Sequence, residues 1–231
     1  MSNIRQSTDW LGVEAVKRLR SAHTFAGVIG LPLNAFATVA PFRNGEWDGG
    51  PCPADAFAAF RNWLGVWIRR NAEVPFTSVS VVHSKPDGSD AHLHTLLHLP
   101  RRALIADLKT ALATRYAEPG DTHIRADDGR CYRHDSGYYG STLNYMISHM
   151  SPQAWWALKT IGQRTRRRRE RAPFVGKRYF ITANISERAQ FARRDEANII
   201  KMGPRRVWPS VGCQNTADAG CPARLEKTTA V

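Results

Sequence analysis

Apolar positions recur at two spacings along the chain, and the changes between them predict its elements. Residues 34–40 alternate and stop at Pro41, which predicts a strand. Phe57, Phe60, Leu64, Trp67 and Ile68 fall on one stripe at helical spacing and predict a helix over 53–71. Residues 76–83 are rich in β-branched side chains and read as a second strand. Pro86-Asp87-Gly88-Ser89 reads as a turn, and a third strand follows, closed by Pro100. Leu104, Ile105, Leu108 and Leu112 predict a helix over 101–116, Glu118-Pro119-Gly120-Asp121 a turn, and residues 122–126 a short strand. Leu143, Met146, Ile147 and Met150 line one side of a helix that starts at Ser141 or Thr142. Ser151-Pro152 reads as a cap with a first-position proline, opening a further helix through Ala154, Ala157, Leu158 and Ile161. Trp10, Val13, Val16 and Leu19 predict a short helix over 9–19, and Asn44-Gly45 and Gly49-Gly50-Pro51 mark a loop.

The order strand, helix, strand, strand, helix, strand, helix predicts an α+β fold. It is an antiparallel sheet of the ferredoxin or RNA-recognition-motif type, with helices on one face. There is no internal repeat. Residues 1–163 read as one domain with its core at about 32–163, residues 164–206 as a basic extension, and residues 207–231 as a disordered tail. The chain of 231 residues is 42% hydrophobic, enough for one full core. No apolar run is long enough to span a bilayer, and the N-terminus has no secretory pattern, so the expectation is a cytoplasmic protein without membrane contact. Cys52, Cys131, Cys213 and Cys221 form no C-x-x-C pair and read as ordinary thiols.

Charge sharpens the picture. The formal net charge is +13, which favours a polyanionic partner. It is concentrated: residues 164–206 carry 14 Lys/Arg against 4 Asp/Glu, a net +10 that leaves +3 for the rest. Arginine predominates, and its planar fork suits phosphate. Arg164, Arg166, Arg167, Arg168, Arg169, Arg171, Lys177 and Arg178 are the candidate nucleic-acid contacts. Such a run is also what a solvated, sequence-blind segment looks like. Trp155 and Trp156 could stack on bases, although tryptophans beside an apolar stripe commonly pack in a core.

The chemistry-bearing motif is Ala91-His92-Leu93-His94-Thr95-Leu96-Leu97-His98. In a strand, residues i and i+2 share a face, so His92 and His94 project together and Leu93 points away. A hairpin through residues 86–89 returns His83 beside them. Three convergent imidazoles make a divalent-metal site with open positions for a substrate. A strand can also carry histidines without a metal, and His98 lies on the same face. Tyr145, in Leu143-Asn144-Tyr145-Met146-Ile147-Ser148-His149-Met150, sits opposite the apolar stripe of its predicted helix, with His149 one turn later. A tyrosine there can act as a nucleophile or be simply exposed; Tyr138 and Tyr139 compete for the role.

These features together resemble the HUH endonucleases, in particular the rolling-circle replication initiators of phages and plasmids and related transposases. The apolar strand Phe36-Ala37-Thr38-Val39 is similar to the family's first motif, His92-Leu93-His94 to its second, and the helix bearing Tyr145 to its third. His83 stands where relatives keep a third metal ligand, and the resemblance covers roughly residues 32–150. Residues 173–178 also resemble a segment that follows the tyrosine helix in some phage-type initiators. The resemblance implies Mg²⁺ or Mn²⁺ held by His83, His92 and His94, with Tyr145 attacking DNA to give a 5′-phosphotyrosine. It also implies single-stranded or origin DNA as substrate, and the host helicase and replication machinery as partners. One departure matters: the family usually has a lysine three or four residues after the tyrosine, and here those positions are Ser148 and His149. His149 is then the candidate helper. The alternative is a nucleic-acid-binding protein, a repressor or an RNA-binding sheet domain, that has lost nuclease activity. A 2H-type phosphoesterase would want two His-x-Thr/Ser motifs, and only a weak overlap near His94 exists.

Overall fold

The structure is a computed structural model that describes residues 7–40, 53–87, 90–116, 122–127, 133–134, 137–161, 167–168, 170 and 174–202. Its elements run β1 (Ser7–Thr8), α1 (Val13–Val28), β2 (Ala35–Val39), α2 (Pro53–Ala72), β3 (Ser78–His83), β4 (His92–Leu97), α3 (Leu104–Tyr116) and β5 (Thr122–Ala126). Then come β6 (Arg133–His134), β7 (Gly137–Tyr138), α4 (Thr142–Met146), α5 (Pro152–Thr160), β8 (Phe174–Val175), β9 (Tyr179–Ile181), a 3₁₀ turn Ala183–Ile185 and α6 (Glu187–Met202).

The fold is α+β. Five antiparallel strands form the main sheet in the order β5-β2-β4-β3-β9. The segment β2-α2-β3-β4-α3-β5 is a ferredoxin-like unit: each helix crosses over between strands that another strand separates. On one face Phe57, Phe60, Leu64 and Ile68 of α2 and Leu104, Leu108 and Leu112 of α3 pack on Ala35, Ala37, Val39, Leu93, Leu97 and Ile124. The four α2 side chains are at most 1% exposed; each contributes about 1.5–3 kcal/mol by leaving water. Asp55 in the first turn of α2 and Arg69 and Arg70 in the last match the helix dipole.

Helices on one face describes α2 and α3 only. The strands also turn Phe36, Val79, Val81 and Leu96 to the second face, and those side chains need cover. α1, α4 and α5 supply it through Val16, Leu19, Ala22, Ala26, Leu143, Met146, Ala154 and Leu158. α1 runs nine residues beyond the predicted 9–19 because its inward stripe continues through the small side chains Ala22 and Ala26, a weak apolar signal. The chain before it is stitched to the far side of α4: the Leu11 N–H donates to the His149 carbonyl at 2.9 Å, and the Ser151 N–H to the Leu11 carbonyl at 2.9 Å.

The break predicted between a domain ending at 163 and a basic extension does not separate folded from appended chain. β8 pairs with β1, β9 is the edge strand beside β3, and Phe174 and Ile185 are buried in the two cores. The expected tail, 207–231, lies outside the described residues, as do the turn 118–121 and the loop around Gly45 and Gly49. No helix among the described residues is long and apolar enough to cross a membrane.

Candidate metal centre and nucleophile

The β3–β4 hairpin sets His83 directly opposite His92, with Val81 opposite His94. Leu93 goes to the α2/α3 core, so strand alternation alone puts the three imidazoles on the second face. Ring centroids are 4.5 Å apart for His83 and His94, 4.7 Å for His92 and His94, and 5.8 Å for His83 and His92, at steep mutual angles. One ligand nitrogen from each lies within 4.8 Å of the others, a spacing that one metal ion can bridge. His83 and His94 are buried and His92 is half-buried.

Hydrogen bonds assign the ring nitrogens. His83 Nε2–H donates to the Met146 carbonyl at 2.7 Å, which leaves Nδ1, buried and without a hydrogen-bond partner, for a metal. His92 Nδ1–H donates to the Asp90 carbonyl at 2.8 Å, which makes Nε2 its candidate metal-binding atom. Thr38 Oγ1 lies 2.8 Å from His94 Nδ1, and the His94 ring stacks on Phe36 at 5.4 Å. Supports of this kind fix tautomer and ring orientation in metal sites. Burial, followed by the neighbouring histidines His149, His94 and His92, holds the His83 pKa well below its ordinary value. It is therefore neutral, the form that binds metal. His98 stays outside the group, its Nδ1–H bonded to the Pro32 carbonyl at 2.8 Å.

Tyr145 completes the cluster. Its ring lies 5.0 Å from His94 and 5.4 Å from His83, edge to face, and it is 3% exposed. The expected position off the core stripe is wrong. α4 ends at Met146, so the projection through Met150 used for it does not apply, and Tyr145 belongs to the second core. The gap for a phosphate expected between tyrosine and histidines is filled by the rings themselves. α4 is held from several sides. Gly140 at φ 81° turns the chain into it, Ser141 Oγ accepts from the Asn144 N–H at 3.2 Å, and Thr142 Oγ1 donates to Asp127 at 2.7 Å. Tyr139 is also buried, its ring 5.2 Å from that of Tyr145; the side chain of Tyr138 lies outside the described residues.

The candidate helper His149 is buried. Its ring stacks on His83 at 4.4 Å, only 8° from parallel, and Nε2 accepts from Arg168 Nη1 at 3.1 Å. Burial, then the Arg168 and Arg178 charges and His92, push its pKa down to about 3. It is a neutral side chain wedged between His83, a candidate metal ligand, and an arginine. That arginine, Arg168, lies over the Tyr145 ring, its guanidinium carbon 5.5 Å from the centroid.

The remaining basic candidates divide. Arg167 caps Trp10 at 4.8 Å and donates to the Met150 carbonyl at 3.0 Å. Arg178 is not a phosphate grip: it is 4% exposed and donates to the Thr8 and Val82 carbonyls at 2.7 and 3.3 Å, tying β1 to β3, and burial lowers its pKa to about 10. Lys177 sits over Phe180 at 5.5 Å. Arg164, Arg166, Arg169 and Arg171 lie outside the described residues. Trp155 is partly buried against the second core, whereas Trp156 is 58% exposed, with Lys159 5.0 Å from its ring.

Thr38 and the Met146 carbonyl escaped sequence reasoning, and Arg168 was read only as a member of the basic run. Thr38 was legible in principle, since it shares the parity of Phe36 on a strand facing the histidines. The Met146 carbonyl and the return of Arg168 leave no local sequence signal. The chain matches no family model, no curated protein and no solved structure, so its chemistry is argued from this geometry.

Proposed function

We propose that the chain is a metal-dependent DNA nicking and joining enzyme of the HUH type, initiating rolling-circle replication or transposition through a 5′-phosphotyrosine intermediate. The observation that carries this reading is the packing of Tyr145 on a three-histidine group. A nucleophile candidate and a metal-ligand set meet on one sheet face, supplied by segments more than fifty residues apart. In the reaction, Tyr145 Oη forms a bond to phosphorus while the bond from phosphorus to the 3′ oxygen breaks. The phenol loses a proton and the released 3′ oxygen gains one. Rejoining is the reverse, with the 3′ hydroxyl attacking the phosphotyrosine.

His83, His92 and His94 would hold a divalent ion, which would supply Lewis-acid polarisation of a non-bridging phosphate oxygen. The ion would be Mg²⁺ or Mn²⁺, although an all-imidazole donor set on its own suits Zn²⁺, Cu²⁺, Fe²⁺ or Ni²⁺ better than either. His83 would bind through Nδ1, and Thr38 and the Asp90 and Met146 carbonyls keep the rings aligned. The substrate is single-stranded or locally melted origin DNA, with the host helicase and replication machinery as partners in a cytoplasmic setting. Arg167, Arg168 and Lys177, with Arg164, Arg166, Arg169 and Arg171, contribute phosphate contacts.

The test is incubation with labelled single-stranded DNA and Mn²⁺, followed by a denaturing gel. A radiolabelled protein band that disappears on chelation and in the Tyr145→Phe protein is expected. Persistence of the band in Tyr145→Phe would move the role to Tyr139 or Tyr138. Absence of a band with every metal and origin-like DNA favours the second reading, a binding protein without nuclease activity. The closed packing of Tyr145, at 3% exposure, is the observation on that side.

A further inference from the structure

We propose that Arg168 forms an anion subsite beside Tyr145, binds the phosphate that is attacked, and supplies there the positive charge that α4 itself lacks. The inference rests on the reading of Tyr145 as the nucleophile. Arg168 comes from 23 residues further along the chain and is brought back by bonds of its own: its N–H donates to the Ser148 carbonyl at 2.9 Å, and Nη1 donates to His149 at 3.1 Å. The neighbouring Arg167 anchors the same turn on the Met150 carbonyl and on Trp10. Two consecutive arginines thus clamp the segment that follows Tyr145.

The clamp is incomplete in one respect. Arg168 Nε is buried and has no hydrogen-bond partner, and no carboxylate pairs with the guanidinium among the described residues. A half-buried cation without an anion, with a donor left unused, is costly for folding alone. It is what a phosphate oxygen would complete, since the guanidinium fork accepts two oxygens at once. The site's geometry places this charge over the face of the Tyr145 ring, whose centroid lies 5.0 and 5.4 Å from those of His94 and His83. A phosphate held on the guanidinium beside the Tyr145 ring, rather than between the packed rings, would bring an anion next to the candidate metal group. His149 is then a positioning residue: by accepting from Arg168 and stacking on His83, it sets the distance between the arginine and the metal ligands.

The test uses the full chain, with Arg168→Gln and Arg168→Lys. Inorganic phosphate is titrated against the Mn²⁺-loaded proteins by calorimetry, and nicking is followed with labelled single-stranded DNA. Arg168→Gln should bind phosphate at least ~10-fold more weakly, as expected for loss of a charge-assisted contact. It should nick ~100-fold more slowly, mainly in kcat rather than KM, as for other groups aimed at transition-state charge. Arg168→Lys keeps the charge without the fork and should fall between. Mn²⁺ affinity, the check that the variants are folded, should be unchanged. Equal phosphate binding and nicking by Arg168→Gln with intact Mn²⁺ binding would overturn the subsite. If the unmutated protein does not nick at all, the nickase reading fails, and the phosphate titration still decides about Arg168. If Arg168→Gln does not fold, Arg168→Lys decides: phosphate binding equal to the unmutated protein would count against the fork.

Discussion

The two faces of the central sheet are built on different terms. The α2/α3 face is closed by Phe57, Phe60, Leu64, Ile68, Leu108 and Leu112, all at most 1% exposed. The α1/α4/α5 face is just as buried, yet it holds His83, His94, His149, Tyr145 and the inner part of Arg168. There, His83 Nδ1, Ser148 Oγ, His149 Nδ1 and Arg168 Nε are buried without hydrogen-bond partners. Burying a polar group without a partner costs about 1–3 kcal/mol, so the second face is less stable than its packing suggests. The lesson is that one layer can carry the fold while the other holds a site in an unsatisfied state that ligands would relieve.

The largest expected effect separates chemistry from folding. Tyr145→Phe keeps the ring that packs on His83 and His94 and removes only the hydroxyl. Adduct formation should fall by at least ~10³-fold, with the melting temperature and DNA affinity unchanged. A Tyr145→Phe protein that unfolds would show instead that the second face is a structural core after all. On the opposite face, Phe60→Ala should cost about 3–5 kcal/mol in denaturant unfolding, from lost transfer energy and a cavity. The Mn²⁺ affinity of the folded fraction should be untouched, because Phe60 packs only in the α2/α3 core. Loss of metal affinity there would break the division between the faces.

Much of this division was legible in the sequence. Alternation put Leu93 on one face and His92 and His94 on the other, the turn residues 86–89 implied the return of His83, and Ser151-Pro152 marked the start of α5. What was not legible arose where local pattern and tertiary context disagree. α4 is too short for a helical projection to say which way Tyr145 faces. Ala22 and Ala26 carry too little apolar signal to extend α1. Arg168 and Arg178 read alike as members of a basic run, and only long-range contacts make one a neighbour of Tyr145 and the other a buried tie between strands. Residues 164–206 were read as a basic extension, but β8 and β9 within it pair with β1 and β3.

A metal should stabilise the second face selectively. With free Mn²⁺ at about 100 times its dissociation constant, mass action predicts a gain of about 2.7 kcal/mol, read as a rise in melting temperature that chelation reverses. His94→Gln should abolish the rise, since it removes one of three ligands. Phe60→Leu should retain it in full on a lower baseline. A rise that survives in His94→Gln would place the ion away from the histidine group.

The smallest effect is the pH dependence of the metal-free protein. His149 has its pKa pushed down to about 3 in the folded state by burial and by Arg168 and Arg178, against an ordinary value of 6.5. Between those two values the unfolded chain binds a proton that the folded chain refuses. This contribution to stability is therefore complete above pH 6.5 and is lost progressively as the pH falls below it. Its slope approaches about 1.4 kcal/mol per pH unit. His83, shifted in the same direction by burial, adds to the slope. Unfolding in chelator at pH 7, 6 and 5 should show stability falling with acid, and His149→Gln should flatten the curve by up to one proton's worth. Phe60→Leu, on the face whose apolar core contains no histidine, should lower the curve without changing its slope. An identical slope in His149→Gln would mean that His149 is protonated at little cost, and that the second face is wetter than its burial indicates.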